Sequence, residues 1–117
     1  MRVRNNSLAR TILLGLTATL GVVGLVLAAS PNVDHVISQK NRRFQPNVVA
    51  LRPGERITIL NDDADLTHHA FIDAPDLAYD SGDQEPGTKA VITFPTAGDF
   101  TVLCAIHPKM TLAVRVR

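Results

Sequence analysis

The sequence contains one cysteine, Cys104, in 117 residues. A lone thiol cannot form an internal disulfide. In an oxidising compartment an unpaired cysteine is a chemical liability that needs a reason. Ligation to a metal is one such reason, because the metal holds the sulfur as a thiolate.

Several other signatures are missing from the chain. It has no clustered basic residues of the kind that a nucleic-acid-binding surface needs. It also has no catalytic serine arrangement, no phosphate-binding glycine loop and no second group of metal-ligating residues. We therefore expect neither nucleic-acid binding nor enzymatic activity. After residue 29 no segment has a helical period, and repeats are absent.

The first 29 residues differ from the rest. Three arginines among the first ten residues precede an uncharged apolar run over residues 11–29. This pattern predicts a secretory signal peptide. The alternative is an uncleaved membrane anchor, because a bilayer span takes about 17–25 residues. We assign residues 1–29 to this leader, which we expect to form an N-terminal signal or anchor helix, and residues 30–117 to one exported domain. We expect a periplasmic location. Without the three arginines, 9 basic residues face 11 acidic ones, a net charge of −2.

A group of metal-ligand residue types lies near the C-terminus. Cys104, His107 and Met110 fall within seven residues, and Met110 is the only methionine after residue 1. Thiolate, imidazole and thioether suit copper, and one Cys, two His and a weak axial Met describe a blue-copper site. A second histidine is available upstream in the pair His68-His69. The alternative is a buried structural cysteine near a surface histidine and a core methionine.

The sequence of the exported domain shows a β-strand pattern in short segments. Alternation and β-branched residues predict six to eight strands separated by turn residues. The predicted segments are Val33–Ser38, Phe44–Leu51, Arg56–Leu60, His68–Ile72, Ala90–Phe94, Asp99–Leu103 and Thr111–Val116, with at most one more near Ala78-Tyr79 in the polar loop Asp73–Lys89. The aspartates before His68, which are Asp62, Asp63 and Asp65, are expected to be solvated, as are the acidic residues of the long loop. The alternative is that these acidic residues form a docking surface.

The motif Cys104-x-x-His107-x-x-Met110, with His68 upstream, resembles the cupredoxin or blue-copper family. The short loop is most similar to amicyanin, and the segments Gly54–Asn61 and Phe94–Cys104 resemble plastocyanin-type domains. Small periplasmic cupredoxins of methylamine utilisation are the nearest resemblance. The resemblance covers about residues 44–117 of the chain.

The resemblance implies an all-β, two-sheet Greek-key sandwich that binds one type 1 copper ion through His68, Cys104, His107 and Met110. Neighbouring residues on a strand point to opposite faces, so only one of His68 and His69 is expected to reach the site. His68 aligns with the family's first ligand. His69 replaces an asparagine that ties the ligand loops together in the family, and its role is left open.

The function that these expectations favour is single-electron transfer between redox partners. The alternative is a copper-binding or copper-delivery protein that uses the same ligands without redox turnover. The resemblance suggests a c-type cytochrome or an amine-oxidising enzyme as partner. We expect a monomer that contacts a membrane only if the leader is retained. Lys109, beside His107, does not by itself identify an acidic partner.

Overall fold

Nine β-strands are present in a computed structural model, which describes residue 15, residues 21–28 and residues 33–117. They are β1 (Asp34–Lys40), β2 (Arg43–Gln45), β3 (Val48–Leu51), β4 (Arg56–Asn61), β5 (Ala70–Ala74), β6 (Leu77–Asp80), β7 (Lys89–Thr93), β8 (Gly98–Cys104) and β9 (Thr111–Val116). These described residues contain no helix, and so none that is long and apolar enough to cross a membrane. Most of the predicted leader lies outside them.

The strands form two sheets. One has the order β2-β1-β4-β7, and the other has the order β3-β9-β8-β5-β6. Each sheet contains one parallel pair, β1 with β4 and β3 with β9, while its remaining pairs are antiparallel. The predicted all-β, two-sheet fold is confirmed.

The core lies between the sheets and follows from the period of two residues in a strand. In β4, Ile57 and Ile59 are fully buried, and in β9 the alternate residues Leu112, Val114 and Val116 are fully buried. Burying each such side chain contributes about 1.5–3 kcal/mol of transfer free energy. One apolar cluster joins side chains from both sheets, so the two sheets share a single core.

The structure has nine strands, one more than the predicted maximum of eight, and two strand predictions need correction. The segment Phe44–Leu51 is not one strand, because β2 pairs with β1 while β3 pairs with β9 in the other sheet. The chain changes sheet at Pro46, which cannot donate to a ladder. The strand predicted from His68 begins at Ala70, and His68 instead forms an isolated bridge with Gln84.

Strand ends converge at one end of the sandwich. β1 and β4 run parallel and finish there at Lys40 and Asn61, while β8 finishes there at Cys104. β5 pairs with β8 in the register Ala70 to Cys104, which places the residues just before β5 beside the end of β8. This end carries the predicted ligands.

Candidate metal centre

The loop between β8 and β9 is short and internally hydrogen-bonded. Cys104 is the last residue of β8, and β9 begins at Thr111. The N–H of Met110 donates to the carbonyl of His107 at 3.0 Å, which closes the turn. The N–H of Ala105 donates to the carbonyl of His69 at 2.9 Å, which fastens this loop to the upstream histidine segment.

His68 is held by backbone bonds on both sides of its peptide. Its N–H donates to the carbonyl of Gln84 at 3.0 Å, and its carbonyl accepts from the N–H of Gln84 at 2.7 Å. The side chain has no exposed surface. The backbone of His68 is therefore fixed, and its ring lies inside the protein.

Three of the predicted ligands come together at this end. His68 Nδ1 lies 3.9 Å from Cys104 Sγ, His107 Nδ1 lies 3.7 Å from the same sulfur, and the two nitrogens are 3.2 Å apart. These distances leave a point about 2.1 Å from all three atoms, close to the usual metal–nitrogen distance of about 2.0–2.1 Å and slightly inside a metal–sulfur distance of about 2.3 Å. The trio fits a single metal ion.

The donor chemistry of the trio is that of a trigonal two-histidine, one-cysteine copper site. Cys104 is buried and has no disulfide partner. The trio is also the only group of His, Cys, Asp and Glu side chains in residues 33–117 that converges closely enough for a metal. Copper therefore suits these residues better than a hard, oxygen-preferring ion does.

Met110 lies at the end of the same loop. Its side chain is 1% exposed and belongs to the apolar core cluster. The structure thus places a buried thioether next to the strand that follows the ligand loop. Its role as an axial ligand stays a prediction.

Asp63 is the functional residue that the sequence did not reveal. The expectation that it is solvated is wrong, because it is only 9% exposed and its Oδ2 lies 2.6 Å from His68 Nε2. Its Oδ1 accepts the N–H of Asn41 at 3.0 Å, and its own N–H donates to Asn61 Oδ1 at 3.1 Å. The one available signal was a carboxylate five residues before His68.

The carboxylate selects which nitrogen of the His68 ring is the hydrogen-bond donor. Burial raises the pKa of Asp63, but the N–H of Asn41, the hydrogen bond to His68 and nearby positive charge outweigh it, and the pKa lies below its usual value. An ionised carboxylate can only accept, so Nε2 of His68 carries the proton. In the neutral ring with this tautomer, Nδ1 keeps a lone pair on the side of Cys104 and His107, as a metal-binding histidine requires.

A buried polar network supports the loop that contains Asp63. Asn61 Nδ2 donates to the carbonyls of Leu66 and Gln84, both at 2.7 Å. Gln39 Nε2 donates to Gln84 Oε1 at 2.9 Å. Asn61 Oδ1 also accepts the N–H of Asp63. The Asn61 side chain therefore joins the loop that contains Asp63 to Gln84, which pairs with His68.

His107 is partly exposed and keeps an available lone pair. Burial of the ring, which is the largest cause, and the guanidinium of Arg42 lower the pKa of His107, while Asp63 acts in the opposite direction. A lowered pKa favours the neutral imidazole, which is the form that binds metal.

His69 points away from the trio. Its Nε2 lies 2.6 Å from Asp80 Oδ1, and its Nδ1 lies 3.0 Å from Asp83 Oδ1. The bond to Asp83 raises the pKa of His69, burial opposes the rise, and Asp80 adds to it. Its ring therefore ties the residue just before β5 to the end of β6 and to the loop that follows β6. Its carbonyl accepts a hydrogen bond from the N–H of Ala105 in the ligand loop.

Comparison with protein-family models and with curated proteins gives no match. Solved structures do share the fold. The copper-containing nitrite reductase (NirK) from Thermus scotoductus SA-01 aligns with a TM-score of 0.68 and 23% identity, over 81% of this chain and 25% of that one. This chain therefore spans about a quarter of that protein.

Amicyanin structures align over most of their own length. A reduced amicyanin mutant gives a TM-score of 0.67 at 20% identity, over 76% of this chain and 86% of that chain. An amicyanin mutant in the Cu(I) state gives 0.66 at 20% identity, over 72% and 82%. The chain thus has the cupredoxin fold, and the resemblance seen in the sequence is confirmed at the level of fold.

Proposed function

We propose that this protein is a mononuclear blue-copper electron carrier with His68, Cys104, His107 and Met110 as ligands. The observation that carries the proposal is the convergence of two imidazole nitrogens and one thiol sulfur, 3.2–3.9 Å apart, on one metal-sized point. Met110 supplies the weak axial thioether that completes such a site. One ion per chain is expected.

The chain's own residues hold the ligands rigidly. When bound, copper supplies a one-electron couple between its Cu(I) and Cu(II) states. Asp63 fixes the ring of His68, the Gln84 bridge fixes its backbone, and the bond from Ala105 to His69 fixes the ligand loop. Because these hydrogen bonds restrain the ligands, little needs to move when an electron arrives or leaves.

Burial favours electron transfer over copper delivery. His68, Cys104 and Met110 are each at most 3% exposed, so a partner cannot displace them one by one by direct contact. His107 is the most exposed member of the set, and it lines a groove with Ile106 and Pro108. Its ring is the route by which an electron passes between the site and a partner.

The same burial argues against catalysis at this site. Catalytic metal sites keep an open position for substrate, whereas these ligands enclose the ion's place. The aligned nitrite reductase is about four times longer than the matched region. We propose a carrier that is not itself an enzyme.

Location and partner rest on the sequence. The leader pattern over residues 1–29 supports export to a periplasm, with membrane attachment if the leader is retained. The similarity to amicyanin supports a c-type cytochrome or an amine-oxidising enzyme as the redox partner. A monomer is the proposed state.

The absorption spectrum of the copper-loaded protein tests this function. An intense visible band from sulfur-to-copper charge transfer, one copper per chain and a reversible potential are expected. Cys104→Ser should abolish the band, and Lys89→Ser, an exposed position on β7, should keep it. Tight Cu(I) binding without a band or redox cycling would instead indicate copper delivery.

A further inference from the structure

The groove at His107 is bordered by positive charge. Arg42, Arg43 and Lys109 line it together with Ile106, His107 and Pro108. The same three cations line a second hollow that reaches Met110 from the side of β2 and β9. Lys109 alone was uninformative in the sequence, but the fold brings the β1–β2 turn beside the ligand loop. We call Arg42, Arg43 and Lys109 the cationic rim.

The charge of the rim is not neutralised within the domain. In residues 33–117 the arginines that form salt bridges are Arg56 and Arg117, and no rim residue does so. The buried carboxylate of Asp63 is already bonded to His68 and Asn41. The domain as a whole carries fewer basic than acidic residues, so the positive field at His107 is local.

The backbone at the rim is strained. Lys40 pairs with Arg43 across a two-residue turn in which Asn41 has φ +54° and Arg42 has φ +56°. Hairpin turns of this kind favour Asn followed by Gly, because both residues need positive φ. Asn41 fits the rule and Arg42 does not. A strained residue at the edge of a site suggests that its side chain serves function there.

We propose that the cationic rim is the docking surface for a redox protein with an acidic face, which the rim orients over His107. This proposal rests on the proposed electron-carrier function. Ile106, 44% exposed, and Pro108 supply the apolar centre, and the three cations surround it with the charge that an acidic partner complements. Complementary charge steers encounter and raises association rates by about 10-fold to 1,000-fold at low salt.

The test uses two c-type cytochromes, one of acidic and one of basic surface, mixed with the reduced, copper-loaded protein. One electron leaves the protein and reduces the ferric haem to ferrous. Rates are measured by stopped flow between about 10 mM and about 200 mM salt, because screening acts over this range. The acidic cytochrome should react at least about tenfold faster at the low-salt end, and the basic one should show no such acceleration.

Two triple variants with equal charge loss separate the rim from net charge. The rim variant is Arg42→Gln, Arg43→Gln, Lys109→Gln. The control is Arg52→Gln, Arg56→Gln, Arg115→Gln, three exposed cations at the opposite end of the sandwich. The blue band and reduction potential of each are measured first, so that rates are compared at equal driving force. The rim variant should lose most of the acceleration, and the control should keep it.

The outcomes are distinct. If the rim and control variants react alike, or if the basic cytochrome reacts faster at low salt, the docking proposal is wrong while the blue site stands. If the unsubstituted protein shows no blue band and no reversible potential, the carrier function itself fails.

Discussion

Replacing Asp63 by asparagine should raise the reduction potential of the copper-loaded protein. The carboxylate lies 2.6 Å from His68 Nε2 and is buried. Its negative charge stabilises Cu(II) more than Cu(I), so removing it favours the reduced state. Asparagine has nearly the same shape, which confines the change to charge and hydrogen bonding.

The size of the effect follows from distance. The hydrogen bond, the imidazole ring and a metal–nitrogen bond of about 2 Å together place the carboxylate about 6.5 Å from the ion. At an effective dielectric constant of about 20, one charge at that distance contributes about 2.5 kcal/mol. At about 59 mV per factor of ten, this corresponds to about 110 mV. Relaxation of the protein and nearby solvent reduce this shift, so we expect the reduction potential to rise by about 50–110 mV.

Voltammetry at constant pH measures the shift, and Asp65→Asn is the matched control. Asp65 is exposed and two residues away, so it loses the same charge where water screens it. The reasoning is refuted if the two variants shift the potential equally while both keep the blue band.

The Asp63 variant should also weaken copper binding. An amide oxygen can accept from either Asn41 or the His68 ring, and its NH₂ group then faces the other donor. If the NH₂ group faces His68, the ring proton moves to Nδ1, where the metal binds. Nitrogen NMR of the metal-free protein reads this tautomer directly, and an unchanged Nε2–H form in the variant would contradict the argument.

Three further predictions concern single residues. His68→Ala should destroy the narrow copper hyperfine splitting in the electron paramagnetic resonance spectrum, whereas His69→Ala should retain it, and the reverse result would shift the ligand assignment by one residue. Met110→Leu should keep the blue colour and raise the potential, since a weak donor to Cu(II) is lost; an unchanged potential removes Met110 from the ligands. Arg42→Gly should increase the free energy of unfolding in urea by about 0.5–1 kcal/mol, because a left-handed backbone costs a non-glycine residue about 1–2 kcal/mol and glycine's own entropy offsets part of the gain. A decrease would show that contacts of the Arg42 side chain hold the turn.

Local sequence patterns predicted most of the architecture because the core follows strand alternation. The buried Ile57 and Ile59 in β4 and the alternate apolar residues of β9 are visible as a period of two. The split of Phe44–Leu51 was not visible, because propensity reports an extended chain without saying which sheet it joins. Pro46 was the only local sign of the change.

The candidate site was also predicted only in part from the sequence. Cys104, His107 and Met110 are close in sequence, so their spacing alone suggested a common loop. Asp63 was missed because three aspartates in a polar loop have the composition of a solvated turn. Only the fold brings its carboxylate to His68. The cationic rim was hidden for the same reason, since Arg42 and Lys109 are far apart in the chain and adjacent in space.

Because His68 and Cys104 are far apart along the chain, a metal bound to both would stabilise the fold as a crosslink. These residues are 36 positions apart, and one ion bound to both would close that loop. By the chain-entropy estimate for a disulfide, a loop of this length restricts the unfolded state by about 4 kcal/mol. The unfolding midpoints of the metal-free, zinc-loaded and copper-loaded protein measure the stabilisation that this crosslink provides. Equal midpoints would exclude such a stabilisation. A chain whose single thiol cannot form a disulfide would then gain its long-range crosslink through the ion.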